Sequence, residues 1–264
     1  MPTTYTHDLF GKNIYKKLSE EMKEIIRENG DLYRIGLHGP DILFYLLMDK
    51  KTTSAGVRMH KEKARPFFER GMKLVRETGN RPLLAYLLGF GCHYLLDSTC
   101  HPTVNRLNDE GIISHTLSEK ELDRTLMLET GKDPLRYYPS DCIVPKKSYA
   151  EVIHEAIPEI SPFRIYWSLR MMKLVTNCMV CDNNGRRKKA LVFIGGLLFG
   201  QKSTYVTDHF MDREPAKNSE GPVAQLKELY MEALKESPQY LEELFALSGE
   251  EKKLSSRFDR TYNG

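Results

Sequence analysis

The chain has 264 residues, with 39 Lys+Arg against 36 Asp+Glu and a formal net charge of +3, so it can bury a substantial core and lacks the strongly basic footprint of a dedicated nucleic-acid binder. Its five cysteines form an odd set without framework spacing, which argues for reduced thiols and against a disulfide scaffold. The start MPTTYTHDLF has no basic segment leading into an apolar one, so no secretory signal is read there and a cytoplasmic location is expected.

Helical periodicity recurs along nearly the whole chain, whereas alternating β-branched strands do not. The expected fold is therefore all-α, a single multi-helical domain over residues 1–264. A first amphipathic helix is predicted from residue 5 or 8 to residue 28, with Leu9, Ile14, Leu18, Met22, Ile25 and Ile26 on one stripe and Asn29-Gly30 as its stop. Pro40-Asp41 opens the apolar run ILFYLLM as a helix, proline being tolerated in a first turn. A segment over 54–77 follows, broken before Pro66 and ended by Gly79. Pro82 starts the next helix, which His101-Pro102 brings to a stop. Residues 112–130 make another, ended by Gly131, with Thr116/Glu119 and Ser118/Glu121 as capping boxes. The stretch 132–145, holding Pro134, Pro139 and Pro145, reads as a loop or lid. Helices near 147–157, 162–181, 187–200, 222–236 and 238–247 complete the pattern. The apolar stretches 83–96 and 190–200 are interrupted and fall short of the ~20 residues that cross a bilayer, so they read as core helices.

The helix that begins at Pro82 carries His93-x-x-x-Asp97-x-x-x-His101, and His115-x-x-x-Glu119 follows it. Positions four apart share one helix face with Cβ atoms ~5–6 Å apart, so His93 and Asp97 point together and His101 falls at or just past the helix end. A single His on an apolar helix is usually a hydrogen-bonded core residue. Asp97 changes that reading, because an ionised carboxylate inside GFGCHYLLDSTCHP needs a compensating cation and the stretch holds no Lys or Arg. Two imidazoles and a carboxylate, without thiolates, suit Zn²⁺ in a site that keeps a position open for water.

The remaining candidates read two ways. Glu119 is either a donor with His115 or the acid that holds a helix N-terminus. On local grounds His7 is an N-cap-region residue, Asp41 a first-turn acid favoured by the helix dipole, and His60 a surface residue among Lys61, Glu62 and Lys63. His38 is either a group supporting Asp41 or part of a packed turn. His154 and His209 read as structural or surface residues, Cys178-x-x-Cys181 as two structural thiols, and the run Arg186-Arg187-Lys188-Lys189 as a solvated face that could alternatively meet phosphate or lipid. Tyr94, Phe44 and Tyr45 flank candidate donors and read as core or cleft aromatics.

Taken together, T-H-x-x-F-G at 6–11, G-P-D at 39–41, His60, H-Y-L-L-D-S-x-x-H-P at 93–102 and H-x-x-x-E at 115–119 resemble the bacterial zinc-dependent phospholipase C family, which shares its fold with the fungal single-strand-specific zinc nucleases. The resemblance covers roughly residues 2–130 by motif; the helices expected over about 146–250 match only as further helix. It implies an all-α fold with two or three zinc ions in a cleft and hydrolysis of phosphate esters, with a small phosphate ester or a phospholipid headgroup as substrate. It further implies that Asp41, His60, His93 and Asp97 surround one zinc, that Asp97 bridges to a second ion held also by His7, and that His101, His115 and Glu119 hold a third. Asp41 is the catalytic candidate, orienting water. In the secreted relatives an exposed terminal Trp supplies ligands; here removal of Met1 would leave Pro2 in that role. The three residues between Asp97 and His101 are a tighter interval than the family's usual five. Two alternatives stand beside the hydrolase: a single-strand nuclease of the same fold, weakened by one Trp and near-neutral charge, and a non-catalytic metal-binding protein with an incomplete cluster.

Overall fold

The computed structural model describes residues 4–180, 186–199, 208–212 and 214–264. Among these, eleven α-helices and three short 3-10 turns account for the regular structure, and no strand occurs, as expected of an all-α chain. Numbered in order, the helices are α1 Thr4–Tyr15, α2 Glu20–Glu28, α3 Gly30–Gly36, α4 Lys50–Lys61, α5 Arg65–Thr78, α6 Arg81–Asp109, α7 His115–Glu129, α8 Lys147–Ala156, α9 Pro162–Cys178, α10 Arg186–Phe199 and α11 Glu220–Gly249. No helix of the described residues is long and apolar enough to cross a membrane.

Several boundaries differ from the periodicity, each for a local reason. The single helix expected before Asn29 is two, because Ser19 is extended and donates its N–H to Glu242 while Glu20 and Glu21 sit in the first turn of α2, where acids complement the helix dipole. Asn29-Gly30 ends α2 but α3 restarts at Gly30. The run after Pro40 winds as a 3-10 turn, Gly39–Tyr45, with Pro40 at its start. The expected capping boxes of α7 give way to Ser114, whose hydroxyl accepts from the N–H of Leu117 at 3.3 Å, so Glu119 is an interior helical residue and holds no helix end.

Pro102, expected to stop a helix, lies inside one, and Pro238 lies inside a single helix where two were expected near 222–236 and 238–247. At Pro102 the preceding turn is held by side chains: Ser98 Oγ donates to Tyr94 O at 2.5 Å, Thr99 Oγ1 to Leu95 O at 2.8 Å, and Arg257 reaches Leu95 O at 3.2 Å. At Pro238 the carbonyl left without its N–H partner is that of Leu234, and Lys17 Nζ donates to it at 2.9 Å. At Pro238 a long-range donor thus replaces what proline removes, and at Pro102 side-chain bonds brace the turn just before it. Continuation of α6 past Pro102 places His101 within the helix rather than at its end.

Contacts divide the chain into two compact units. The larger takes His7–Pro102, Cys142–Met172 and Leu229–Gly264. Its core is an aromatic cluster around α6, in which Phe68, Phe90, Tyr94, Phe258 and Tyr262 are buried and pack at centroid distances of 5.0–6.2 Å. Helices α3 and α6 approach closely at a glycine pair: a Cβ on Gly36 would lie 2.2 Å from Tyr86 O, and one on Gly89 would lie 2.1 Å from Tyr33 O. The smaller unit takes Met1–Thr6, Thr103–Asp141 and Lys173–Glu228. Within it, buried Asp123 of α7 accepts from the N–H groups of Tyr5 and Thr6 at 3.2 and 2.8 Å, capping the first turn of α1.

Candidate metal centre

Asp97 is buried on α6, and its position decides what surrounds it. Residues four before and four after lie on the same helix face, so His93 Nε2 stands 3.1 Å and His101 Nε2 3.6 Å from Asp97 Oδ2. The other oxygen, Oδ1, lies 3.3 Å from Nε2 of His7 on α1. His60, in the last turn of α4, brings its Nε2 to 3.9 Å from Asp97 Oδ2 and 3.1 Å from Oδ1 of Asp41, which the 3-10 turn at Gly39 supplies. Six side chains from four separate elements therefore converge within the larger unit.

The imidazole orientations are fixed from behind. His60 Nδ1 lies 2.8 Å from the carbonyl of Gly56 one turn earlier, an acceptor that can only take a proton, so Nδ1 carries a hydrogen and the ring is turned with Nε2 toward the carboxylates. His93 is fully buried, yet neither ring nitrogen makes a hydrogen bond. Its Nε2 is near Asp97 Oδ2 in distance but out of line for donation. His7 Nδ1 is likewise buried without a hydrogen-bond partner. Orphaned buried nitrogens are costly, and the unfilled Nε2 of His93 beside the Asp97 carboxylate is an acceptor pair that a cation would satisfy. Gly39, at φ +48, permits this packing: a Cβ there would lie 2.1 Å from His93 Cδ2.

Electrostatics agree with the geometry. Burial works to raise the Asp97 pKa, but the charges of His101 and His93 and the hydrogen bond from His7 outweigh it and hold the carboxyl well below its usual range. Asp41 is also held down against burial, by positive charge around it and the His60 contact. His60 is raised, its burial outweighed by Asp41, whereas His93 is lowered chiefly by burial. Ionised carboxylates thus sit buried among imidazoles, a set that nitrogen- and oxygen-binding divalent ions complete. Two subsets have donor atoms within 4.8 Å of one another: His7, His93 and Asp97, and Asp41, His60 and His93. These residues fit zinc by donor type, burial and unfilled lone pairs.

In the smaller unit, His115 Nε2 lies 3.2 Å from Glu119 Oε1, and His115 Nδ1 lies 3.2 Å from Asn105 Oδ1. Glu119 is buried. Pro2 and Cys181 lie outside the described residues. His38 is buried with Nε2 3.1 Å from Cys142 Sγ, and burial lowers its pKa to about 3; this is a neutral packing contact. His154 donates through Nδ1 to Ile160 O at 2.9 Å, a structural role as expected. In the basic run, Arg187 and Lys188 are tied locally, to Val180 O and to Asp212. Tyr94 is core, its hydroxyl donating to Arg257 O, while Phe44 packs its ring 5.3 Å from that of His60.

Sequence reading alone missed the groups that frame the donors. Tyr262 places its ring 5.4 Å from His60 and 5.9 Å from His93, and Asn263 donates to His60 O at 3.2 Å. No spacing links residues so distant in the chain, and the aromatic content of FDRTYNG is the only trace. The family model for zinc dependent phospholipase C matches residues 6–162, which takes in every donor from His7 to Glu119 and leaves Tyr262 outside. No curated protein and no solved structure matches the chain.

Proposed function

Since the chain belongs to the zinc-dependent phospholipase C family, we propose that it is a zinc-dependent phosphoric ester hydrolase, a phospholipase C-like phosphodiesterase that uses activated water. The observation that carries this is the buried carboxylate of Asp97 between His7 and His93, the Nε2 of His93 having no hydrogen-bond partner. In this assignment Asp41, His60, His93 and Asp97 would hold one zinc, and His7 would join Asp97 at another. His101, His115, Glu119 and the amine of Pro2 are assigned as further zinc donors, for two or three ions in all.

Bound zinc would supply Lewis acidity, bringing a water towards a pKa of ~7 and offsetting phosphoryl charge. The protein's own groups supply orientation and proton handling. Asp41 is the catalytic residue: its ionised carboxylate accepts a hydrogen bond from the nucleophilic water and orients it toward phosphorus. His60, anchored by Gly56, keeps that carboxylate aimed. Asp97 divides its two oxygens between opposite sides of the cluster and prevents the imidazoles from repelling one another when protonated. Buried Phe90 and Tyr262 against His93 limit the water that reaches the ring from behind.

The substrate proposed is a phosphodiester, a small phosphate ester or a phospholipid headgroup. Zinc content by plasma emission, measured with hydrolysis of bis(p-nitrophenyl) phosphate, p-nitrophenyl phosphorylcholine and single-stranded DNA, tests the assignment. The expected result is at least two zinc ions per chain and turnover of one or both small esters, lost on chelation and restored by zinc. Turnover of DNA alone would make the chain a nuclease, and absence of both metal and turnover would make it a non-catalytic member.

A further inference from the structure

The larger unit exposes an apolar surface that packing does not explain. The loop between the Gly39–Tyr45 turn and α4 leaves Leu47 67% and Met48 97% exposed, and the start of α9 leaves Phe163 71% and Trp167 40% exposed. These two segments are neighbours: Arg164, next to Phe163, pairs with Asp49, next to Met48, at 2.6 Å, and Ser168 donates to the carbonyl of Ile42. The loop continues directly from the turn that supplies Asp41, whose Phe44 packs on His60. Folded chains rarely leave several large apolar side chains adjacent in water unless something covers them.

The charge around the patch identifies its occupant. Lys50 and Lys51, which follow Met48 and Asp49 in the chain, and Arg170 are exposed, and Arg170 lies over the Trp167 ring at 5.3 Å. The nearby acid, Asp49, is already engaged by Arg164 and by the N–H groups at the start of α4. Aliphatic tips and an aromatic pair accompanied by these cations complement an anionic bilayer, which offers acyl chain beneath and phosphate at its surface. Single-stranded nucleic acid would use the aromatic rings and cations but has no partner for Leu47 and Met48, since bases stack on π faces.

We infer that Leu47, Met48, Phe163 and Trp167, with Lys50, Lys51 and Arg170, form an interfacial surface that docks the protein on an anionic phospholipid bilayer. The purpose of this docking rests on the hydrolase reading above, because it brings headgroup phosphates to the side of the molecule where Asp41 and His60 lie. The binding itself does not depend on turnover.

Trp167 is the only tryptophan, so its emission reports burial of the patch without a label. Zinc-loaded protein is mixed with vesicles of phosphatidylcholine containing phosphatidylglycerol, with phosphatidylcholine vesicles, and with an oligothymidylate. Expected are a shift of Trp167 emission to shorter wavelength and co-sedimentation with the anionic vesicles, weaker at high salt. The double variant Leu47→Ser/Met48→Ser, altered only at exposed positions, should lower vesicle partition at least about tenfold while zinc content and hydrolysis of bis(p-nitrophenyl) phosphate stay at the parent level. No emission shift and no co-sedimentation would overturn the inference. So would a shift with oligothymidylate but not vesicles, or a shift on raising protein concentration without lipid, which would assign the patch to nucleic acid or to a second copy of the chain. If the parent hydrolyses no soluble ester yet binds vesicles, the hydrolase reading fails and the docking surface stands.

Discussion

Gly39→Ala should damage the metal centre through a single methyl group. Gly39 sits at φ +48, and its missing Cβ would be 2.1 Å from Cδ2 and 2.7 Å from Nε2 of His93, a ring with no exposed surface to move into. The left-handed backbone costs a non-glycine residue ~1–2 kcal/mol, and forcing extra volume into a packed site adds ~1–3 kcal/mol. The sum is ~2–5 kcal/mol of stability. His93 must also rotate or retreat from Asp97, which should weaken zinc binding at least ~10-fold, in line with other losses of ligand support. Gly79→Ala is the matched control, because Gly79 has φ +67 with nothing within 4 Å of the added Cβ, so it carries the backbone penalty alone. Urea unfolding of both variants, with zinc affinity from competition against a chromogenic chelator, separates the terms. If Gly39→Ala loses no more stability than Gly79→Ala and keeps the parent zinc affinity, the packing argument for His93 is wrong.

Other outcomes follow from the same geometry. Asp97→Asn removes the charge that faces His7, His93 and His101, and should release at least one zinc and abolish ester hydrolysis while helical circular dichroism survives; turnover at the parent rate would refute the bridging role. Asp8 is buried and paired with Arg34 through two contacts at 2.7 and 2.9 Å. Burial alone would raise its pKa, but Arg34 and Lys12 outweigh that and lower it. Its contribution is therefore present above the unfolded carboxyl value of ~3.9 and fades as pH falls through the lower folded value. Asp8→Asn should cost ~1–3 kcal/mol at pH 7, with the gap to the parent closing below about pH 4; a gap independent of pH would count against the ion pair. Lys17→Met takes away the donor to Leu234 O beside Pro238 and should cost ~1 kcal/mol in urea unfolding, with a larger effect than Lys16→Met, whose amine bonds only Asn13 one turn away.

The helices were largely readable because each buries a face whose apolar residues recur with the helical period. The misread prolines differ from the other boundaries, whose causes are local. Pro102 looked like a terminator and a break was expected just before Pro238, yet Arg257 and Lys17, distant in sequence, bond carbonyls before them, and no local pattern encodes a donor that arrives from elsewhere in the fold. The site divides in the same way. His93, Asp97 and His101 were legible as a geometric unit because a helix converts spacing into direction. His7, Asp41 and His60 come from three different elements, so local reading gave each an ordinary role, and the motif resemblance alone pointed to them as donors. Tyr262 and Asn263 carried no usable signal, since a ring packed on an imidazole leaves no trace in spacing.

The wall that Tyr262 builds against His60 and His93, with the Arg257 contacts behind it, has a consequence for biosynthesis. During translation every histidine of the cluster leaves the ribosome more than a hundred residues ahead of that wall. A nascent chain can thus present these imidazoles before the aromatic wall that packs against them exists, and the cluster takes its packed form only after residues 257–263 have been made.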